Sequence, residues 1–212
     1  MNESAPITGF QVEVANVFFA MPEASSFLLA GGLALLAQGM SVRPTEDMDA
    51  FTSNPDDVRR ASEAFQAAAR SRGWGVEVMR ASETFVRLQV EGSEQILVDL
   101  ALDSPPGLPS MMSILGPTYA PDELAARKLL ALFGRALPRD FVDVYRVTSS
   151  RSESELFELA RSIDPGLEEG RLVLAMGQLA RYSDSQLDIE PEEIDAMRAY
   201  FDEWTRRLAE RK

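Results

Sequence analysis

The stretch FLLAGGLALLAQGMSVRPTEDMDAFT, residues 27–52, decides the fold. Phe27-Leu28-Leu29-Ala30 is a short apolar run that stops at Gly31-Gly32, as a strand entering a tight turn does. Leu33 to Gln38 reads as a short helix closed by Gly39. Residues 47–52 (DMDAFT) alternate, which marks a second strand. Asp47 and Asp49 are two apart on that strand, so both carboxylates face the same side. Two like charges held together need a cation, and a divalent ion that also binds a triphosphate meets that need. A solvent-facing strand edge accounts for the pair as well. The paired glycines let backbone N–H groups approach an anion at a helix start, although plain turn chemistry also explains them.

Working outward, residues 9–20 (GFQVEVANVFFA) carry apolar side chains at helical spacing, and Pro22 ends that helix. Pro55 with Asp56 and Asp57 opens another, running to about Ser71 before Gly73 and Gly75 break it. Three strands are predicted at 75–80, 84–90 and 95–102, with Glu91-Gly92-Ser93-Glu94 as a hairpin turn between the last two. Their closeness in sequence predicts antiparallel pairing. Asp99 lies within Ile96–Leu102, a run apolar enough that its carboxylate needs a partner or a metal unless it sits at an exposed strand end.

Residues 104–121 are rich in Pro, Gly and Ser and read as a connector. Beyond Pro121 the pattern is helical, with helices expected at about 121–134, 138–149, 152–163, 168–181 and 191–211. In the first of these Leu124, Leu129, Leu132 and Phe133 form a stripe, while Lys128 and Arg135 are seven apart on one face. Asp140 and Asp143 follow at i, i+3 spacing; a solvated helix face is the plain alternative. The layout predicts an α/β (α+β) core over 1–105 and a helical domain over 106–212.

Composition narrows the chemistry. The 212 residues include no His and no Cys, which excludes imidazole acid–base catalysis, thiol nucleophiles, His- or Cys-ligated metals and disulfides. Carboxylate, hydroxyl, Lys, Arg and Tyr chemistry remains, with oxygen-ligated Mg²⁺ or Mn²⁺ as the natural metals. The net charge of −13 disfavours broad contact with nucleic acid or anionic membrane. Of 21 basic residues only Lys128 and Lys212 are Lys. The N-terminal segment has no basic region or signal-like core, and no apolar stretch is long enough to span a bilayer, so a cytoplasmic protein is expected.

Taken in order, Gly31-Gly32, then Arg43, Thr45, Asp47 and Asp49 as RxTxDxD, then the strand Asp99, then a helix with Lys128, then Arg139-Asp140-Phe141-Val142-Asp143 resemble the AbiEii/AbiGii-type nucleotidyltransferases. These are minimal polymerase-β-like enzymes, many of them toxins of toxin–antitoxin pairs. The likeness covers roughly residues 27–147. It implies a polymerase-β-like mixed sheet with a C-terminal helical bundle that completes the active site. It implies Asp47 and Asp49 as Mg²⁺ (or Mn²⁺) ligands and Asp99 as a third carboxylate, with an NTP as substrate. It further implies Lys128 as a phosphate ligand, Asp140 or Asp143 as the group that orients Lys128 or contacts the nucleotide, and Gly31, Gly32, Arg43, Thr45 and Arg139 as nucleotide contacts. The implied acceptor is the tRNA 3′ end, with translation blocked, and the implied partner is a cognate antitoxin; a monomer is favoured. A tRNA acceptor requires a basic surface, and Arg127, Lys128, Arg135, Arg139 and Arg146 on the helical half and Arg59, Arg60, Arg70 and Arg72 on the other are the residues expected to supply it. A small-molecule or protein hydroxyl as acceptor, and a non-catalytic relative that docks a partner through the Trp204 helix, are the competing expectations. One departure stands out: the family's Ser or Thr soon after the glycines is here Leu33-Ala34.

Overall fold

The computed structural model describes residues 7–149 and 151–210. The start of the N-terminal segment, the end of the last expected helix and Lys212 lie outside the described residues. The chain forms two compact units, Met1–Pro121 and Asp122–Lys212.

The first unit carries strands β1 (Leu28–Ala30), β2 (Asp47–Thr52), β3 (Gly75–Ala81), β4 (Phe85–Glu91), β5 (Gln95–Leu102), β6 (Met111–Ser113) and β7 (Gly116–Thr118). Its helices are α1 (Gly9–Phe19), α2 (Gly31–Ala37) and α3 (Pro55–Ser71). The strands form one mixed sheet in the order β3-β4-β5-β2-β1-β7-β6. β3, β4 and β5 are an antiparallel meander, β2 lies parallel to β5, and β1 is antiparallel to β2. β7 pairs parallel with β1, and β6 antiparallel with β7.

The expected connector therefore holds two strands. At three residues each, β6 and β7 are too short to show alternation, and the Pro and Gly of β7 and of the flanking residues hid them. Because β7 pairs inside the sheet, the first unit runs on to Pro121, whereas composition had suggested a division at 105/106.

The sheet has two unlike faces. Met48, Ala50, Leu88, Val90, Val98 and Leu100 are fully buried on one of them. Helix α3 packs on β2 through β5, and its Val58, Ala61, Phe65 and Ala69 are equally buried. The alternate residues 47, 49, 85, 87 and 89 are only half-buried, so the opposite face stays partly open. Helix α1 begins at a capping box: Gln11 N–H donates to Thr8 Oγ1 (3.2 Å), and Thr8 N–H donates to Gln11 Oε1 (2.9 Å).

The second unit is helical: α4 (Pro121–Arg135), α5 (Pro138–Thr148), α6 (Glu153–Ile163), α7 (Glu169–Met176) and α8 (Pro191–Glu210). The helix expected over 168–181 stops as α-helix at Met176 and continues as a 3₁₀ turn, Gly177–Arg181. Phe141 meets Phe201 edge-on at 5.3 Å between ring centroids, and Phe201 stacks on Trp204 at 6.3 Å. Trp204 is 2% exposed and serves the core of this unit. Among the described residues no helix is long and apolar enough to cross a membrane.

Candidate active site

The half-open sheet face carries the chemistry. Strand register sets Ala30 of β1 opposite Asp49 of β2, Asp49 opposite Asp99 of β5, and Asp99 opposite Arg87 of β4. The three carboxylates named from sequence thus share one face: Asp49 and Asp99 are neighbours across a parallel pair, and Asp47 lies one repeat along β2. Asp99 is 5% exposed, as its apolar run required, and a bidentate guanidinium meets the cost of burial. Arg87 Nε donates to Asp99 Oδ1 at 2.7 Å, and a terminal nitrogen donates to Oδ2 at 2.5 Å. Those bonds hold the Arg87 pKa above its ordinary range, against desolvation, and the fields of Asp47 and Asp49 push the same way.

The glycine turn closes against this row. Gly31 has φ +66°, the left-handed region, and a Cβ placed there would lie 1.7 Å from Asp49 Oδ2. Gly31 is therefore required twice, once by its backbone and once by the carboxylate packed on it. A Cβ on Gly32 would lie 3.2 Å from Thr45 Cβ and Oγ1 and 3.3 Å from an Arg43 guanidinium nitrogen. Gly31, Gly32, Arg43, Thr45 and Asp49 thus form one cluster. The loop before Asp47 is pinned from both sides. Asp47 N–H donates to Thr45 Oγ1 at 3.3 Å, and Gln11 Nε2 donates to the Thr45 carbonyl at 2.5 Å. Gly31→Ala is expected to cost about 1–2 kcal/mol from backbone strain alone. It also displaces the Asp49 carboxylate, so activity should fall further than stability does. Denaturant midpoints and transfer rates of Gly31→Ala and Gly32→Ala, measured side by side, check this; equal losses at the two positions would contradict it.

In the helical unit Lys128 Nζ donates to Asp143 Oδ2 at 2.8 Å, with side chains 10% and 1% exposed. Asp140 has a different task. It is fully buried, takes two bonds from Arg135 (2.8 and 2.9 Å) and accepts the Leu137 N–H at 3.0 Å, fixing the start of α5. Asp143 is thus the partner of Lys128, and Asp140 the partner of Arg135; this helical unit also carries Arg139, the first residue of the RDFVD run.

The residues fit a divalent cation of the Mg²⁺ type. Mg²⁺ is typically held by one or two carboxylates, with substrate phosphates and water completing the shell. Asp47 and Asp49 supply that pair, and Gly31 has no Cβ to displace the Asp49 carboxylate from that face. Among the described residues no group of three or more Asp or Glu is arranged around a metal position. Asp99, expected as a third ligand, spends both oxygens on Arg87.

Sequence reading passed over Arg87, Arg80 and Gln11. Arg87 was recoverable, because counting back from the predicted hairpin turn sets it opposite Asp99. Several of the basic residues expected to offer an RNA surface have carboxylate or amide partners. Arg127 is 11% exposed and bonded to Glu123, Lys128 is buried, and Arg146 pairs with Glu193. Arg59 and Arg60 pair with Glu63 and Asp57, and Arg70 bonds Gln66.

The family model described as nucleotidyl transferase AbiEii toxin, type IV toxin–antitoxin system, matches residues 15–210. Among solved structures, JHP933 from Helicobacter pylori is similar over 97% of this chain and 96% of its own, with TM-score 0.59 and 14% identity. MenT4, a nucleotidyltransferase toxin from Mycobacterium tuberculosis, is similar over 93% of this chain and 92% of its own, with TM-score 0.59 and 19% identity. The antibiotic-resistance factor ANT(2″)-Ia is similar over 82% of this chain and 98% of its own, with TM-score 0.51 and 12% identity. These likenesses are of fold. No curated protein matches the chain by sequence.

Proposed function

Since the chain belongs to the AbiEii family of nucleotidyltransferase toxins, we propose that it transfers a nucleotide from an NTP to the 3′ end of tRNA, with Mg²⁺, and so blocks translation. The observation that carries the transfer chemistry is the pair Asp47 and Asp49 on one strand face, with Gly31 packed against the second carboxylate. The tRNA acceptor is taken from the family resemblance.

In this reading Asp47 and Asp49 bind the divalent ion, which neutralises phosphate charge when bound. The Gly31-Gly32 turn brings backbone close to the phosphates, and Arg43 and Thr45 line the same turn. Arg87 holds Asp99 in place in the carboxylate row through two hydrogen bonds. Lys128, oriented by Asp143, is assigned to the triphosphate as a point charge on the strength of the resemblance; Arg139 and Asp140 stay assigned to the same nucleotide on that ground alone. One P–O bond forms, from the acceptor hydroxyl oxygen to the α-phosphorus. One breaks, from the α-phosphorus to pyrophosphate, and the hydroxyl proton passes to a carboxylate or to water.

The test is incubation of the protein with tRNA, Mg²⁺ and each α-³²P-labelled NTP in turn, beside Asp47→Ala. The expected result is label on tRNA with wild type alone, and none when the divalent ion is chelated. Label on tRNA from Asp47→Ala at the wild-type rate would remove Asp47 from the site. The net charge of −13 favours one second acceptor class, a cationic small molecule. An aminoglycoside panel in the same assay decides between them.

A further inference from the structure

Beyond Asp99 the cross-sheet row continues into positive charge. Arg87 stands opposite Arg80 of β3, so the row reads Ala30, Asp49, Asp99, Arg87, Arg80. Arg80 reaches that face only through a β-bulge. Val78 is opposite Leu88, yet Arg80 is opposite Arg87, which leaves Met79 as the extra residue. Without the bulge Arg80 would oppose Val86, on the face that α3 covers. The bulge sets two guanidiniums directly opposite each other, an arrangement that costs stability in the absence of an anion. Both lie near the Phe85 ring: Arg80 Cζ is 5.5 Å and Arg87 Cζ 5.9 Å from its centroid. Arg80 is exposed, and the Arg87 side chain is 37% exposed although it holds Asp99. Glu77, opposite Gln89, marks where the basic stretch stops.

We propose that Arg80, Phe85 and Arg87 form the acceptor subsite, which takes the unpaired 3′ end of an RNA strand. Phe85 supplies a stacking surface for a base and the two arginines bind backbone phosphates, the usual means of holding single strands. Position in the row separates this subsite from that of the NTP. The glycine turn lies on the β1 side of Asp49, and the arginines lie on the far side of Asp99. In an in-line displacement the attacking hydroxyl and the departing pyrophosphate occupy opposite sides of the phosphorus. The three inter-strand steps from Asp49 to Arg80 span about 14 Å. Two arginines make a footprint small enough for a chain of net charge −13. The inference rests on the carboxylate face being the transfer site.

The test uses a labelled RNA hairpin with an unpaired 3′ overhang, titrated by fluorescence anisotropy at several salt concentrations. Wild type is compared with Arg80→Ala, Arg80→Lys and Phe85→Leu, and Mg²⁺–NTP affinity is measured on each by calorimetry. Arg80→Ala is expected to weaken RNA binding and make the slope of log K against log salt shallower by about 0.7, the share of one single-strand phosphate contact. Arg80→Lys should keep the slope. Phe85→Leu should weaken binding about tenfold with the slope unchanged. NTP affinity should stay at the wild-type value throughout. Wild-type RNA affinity in Arg80→Ala and Phe85→Leu overturns the proposal and leaves Arg80 as protection for the edge strand. Loss of NTP and RNA affinity together also overturns it, by assigning the arginines to the triphosphate. Absence of RNA binding by wild type overturns it outright. The labelling assay of wild type with tRNA reports separately on the transfer reading: label on tRNA with unaltered variants removes the subsite and leaves that reading standing.

Discussion

Asp49→Ala is expected to lower nucleotidyl transfer about 10³-fold or more, because in the proposed reaction Asp49 would hold a divalent ion that contributes several kcal/mol of charge stabilisation in the transition state. Stability should move by less than about 1 kcal/mol, since Asp49 is only half-buried on the open sheet face. Asp47→Ala should behave alike, one repeat along the same strand. Asn at position 49 keeps the shape packed on Gly31 and removes the charge, so it separates the two contributions. Single-turnover transfer with labelled NTP, read beside the denaturant midpoint, is the measurement. Activity of Asp49→Asn within about tenfold of wild type would show that the carboxylate charge is not what the reaction uses.

Lys128→Met is expected to have the largest effect on folding. The substitution withdraws the ammonium 2.8 Å from a carboxylate that is 1% exposed. Breaking a buried pair of this kind by removing one partner costs about 3–5 kcal/mol. Removing both charges should cost less than the sum, so Lys128→Met with Asp143→Asn should regain part of the loss. A double-mutant cycle from denaturant midpoints gives the coupling. Additive losses would mean that the two side chains do not act as a pair. NTP affinity measured on Lys128→Arg, which keeps the positive charge, then asks whether a point charge alone serves the phosphates.

The carboxylate strand and the glycine turn were legible because they depend on local rules. Alternation over residues 47–52 sets Asp47 and Asp49 on one face whatever the strand pairs with. Gly31-Gly32 was legible as a turn, but its necessity was not. That comes from the Asp49 carboxylate occupying the position of the missing Cβ, a contact between the start of α2 and strand β2 that sequence spacing does not encode. The role of Asp99 was half-legible: a carboxylate in an apolar strand needs a partner, and only the β4–β5 register shows that partner to be Arg87. Asp140 and Asp143, three apart in sequence, were indistinguishable until the helices packed and gave one to Arg135 and the other to Lys128.

By itself the sequence determined the order of the elements, the absence of imidazole and thiol chemistry, and the family, because composition, periodicity and motif order are properties of the chain alone. Tertiary structure alone decided which charges meet. Strand pairing brings Asp49, Asp99, Arg87 and Arg80 into one row from four strands, and a single bulged residue, Met79, decides that Arg80 faces it. A one-residue shift in register moves a side chain to the other face of a sheet, so the composition of such a row is written in the pairing and not in the spacing along the chain.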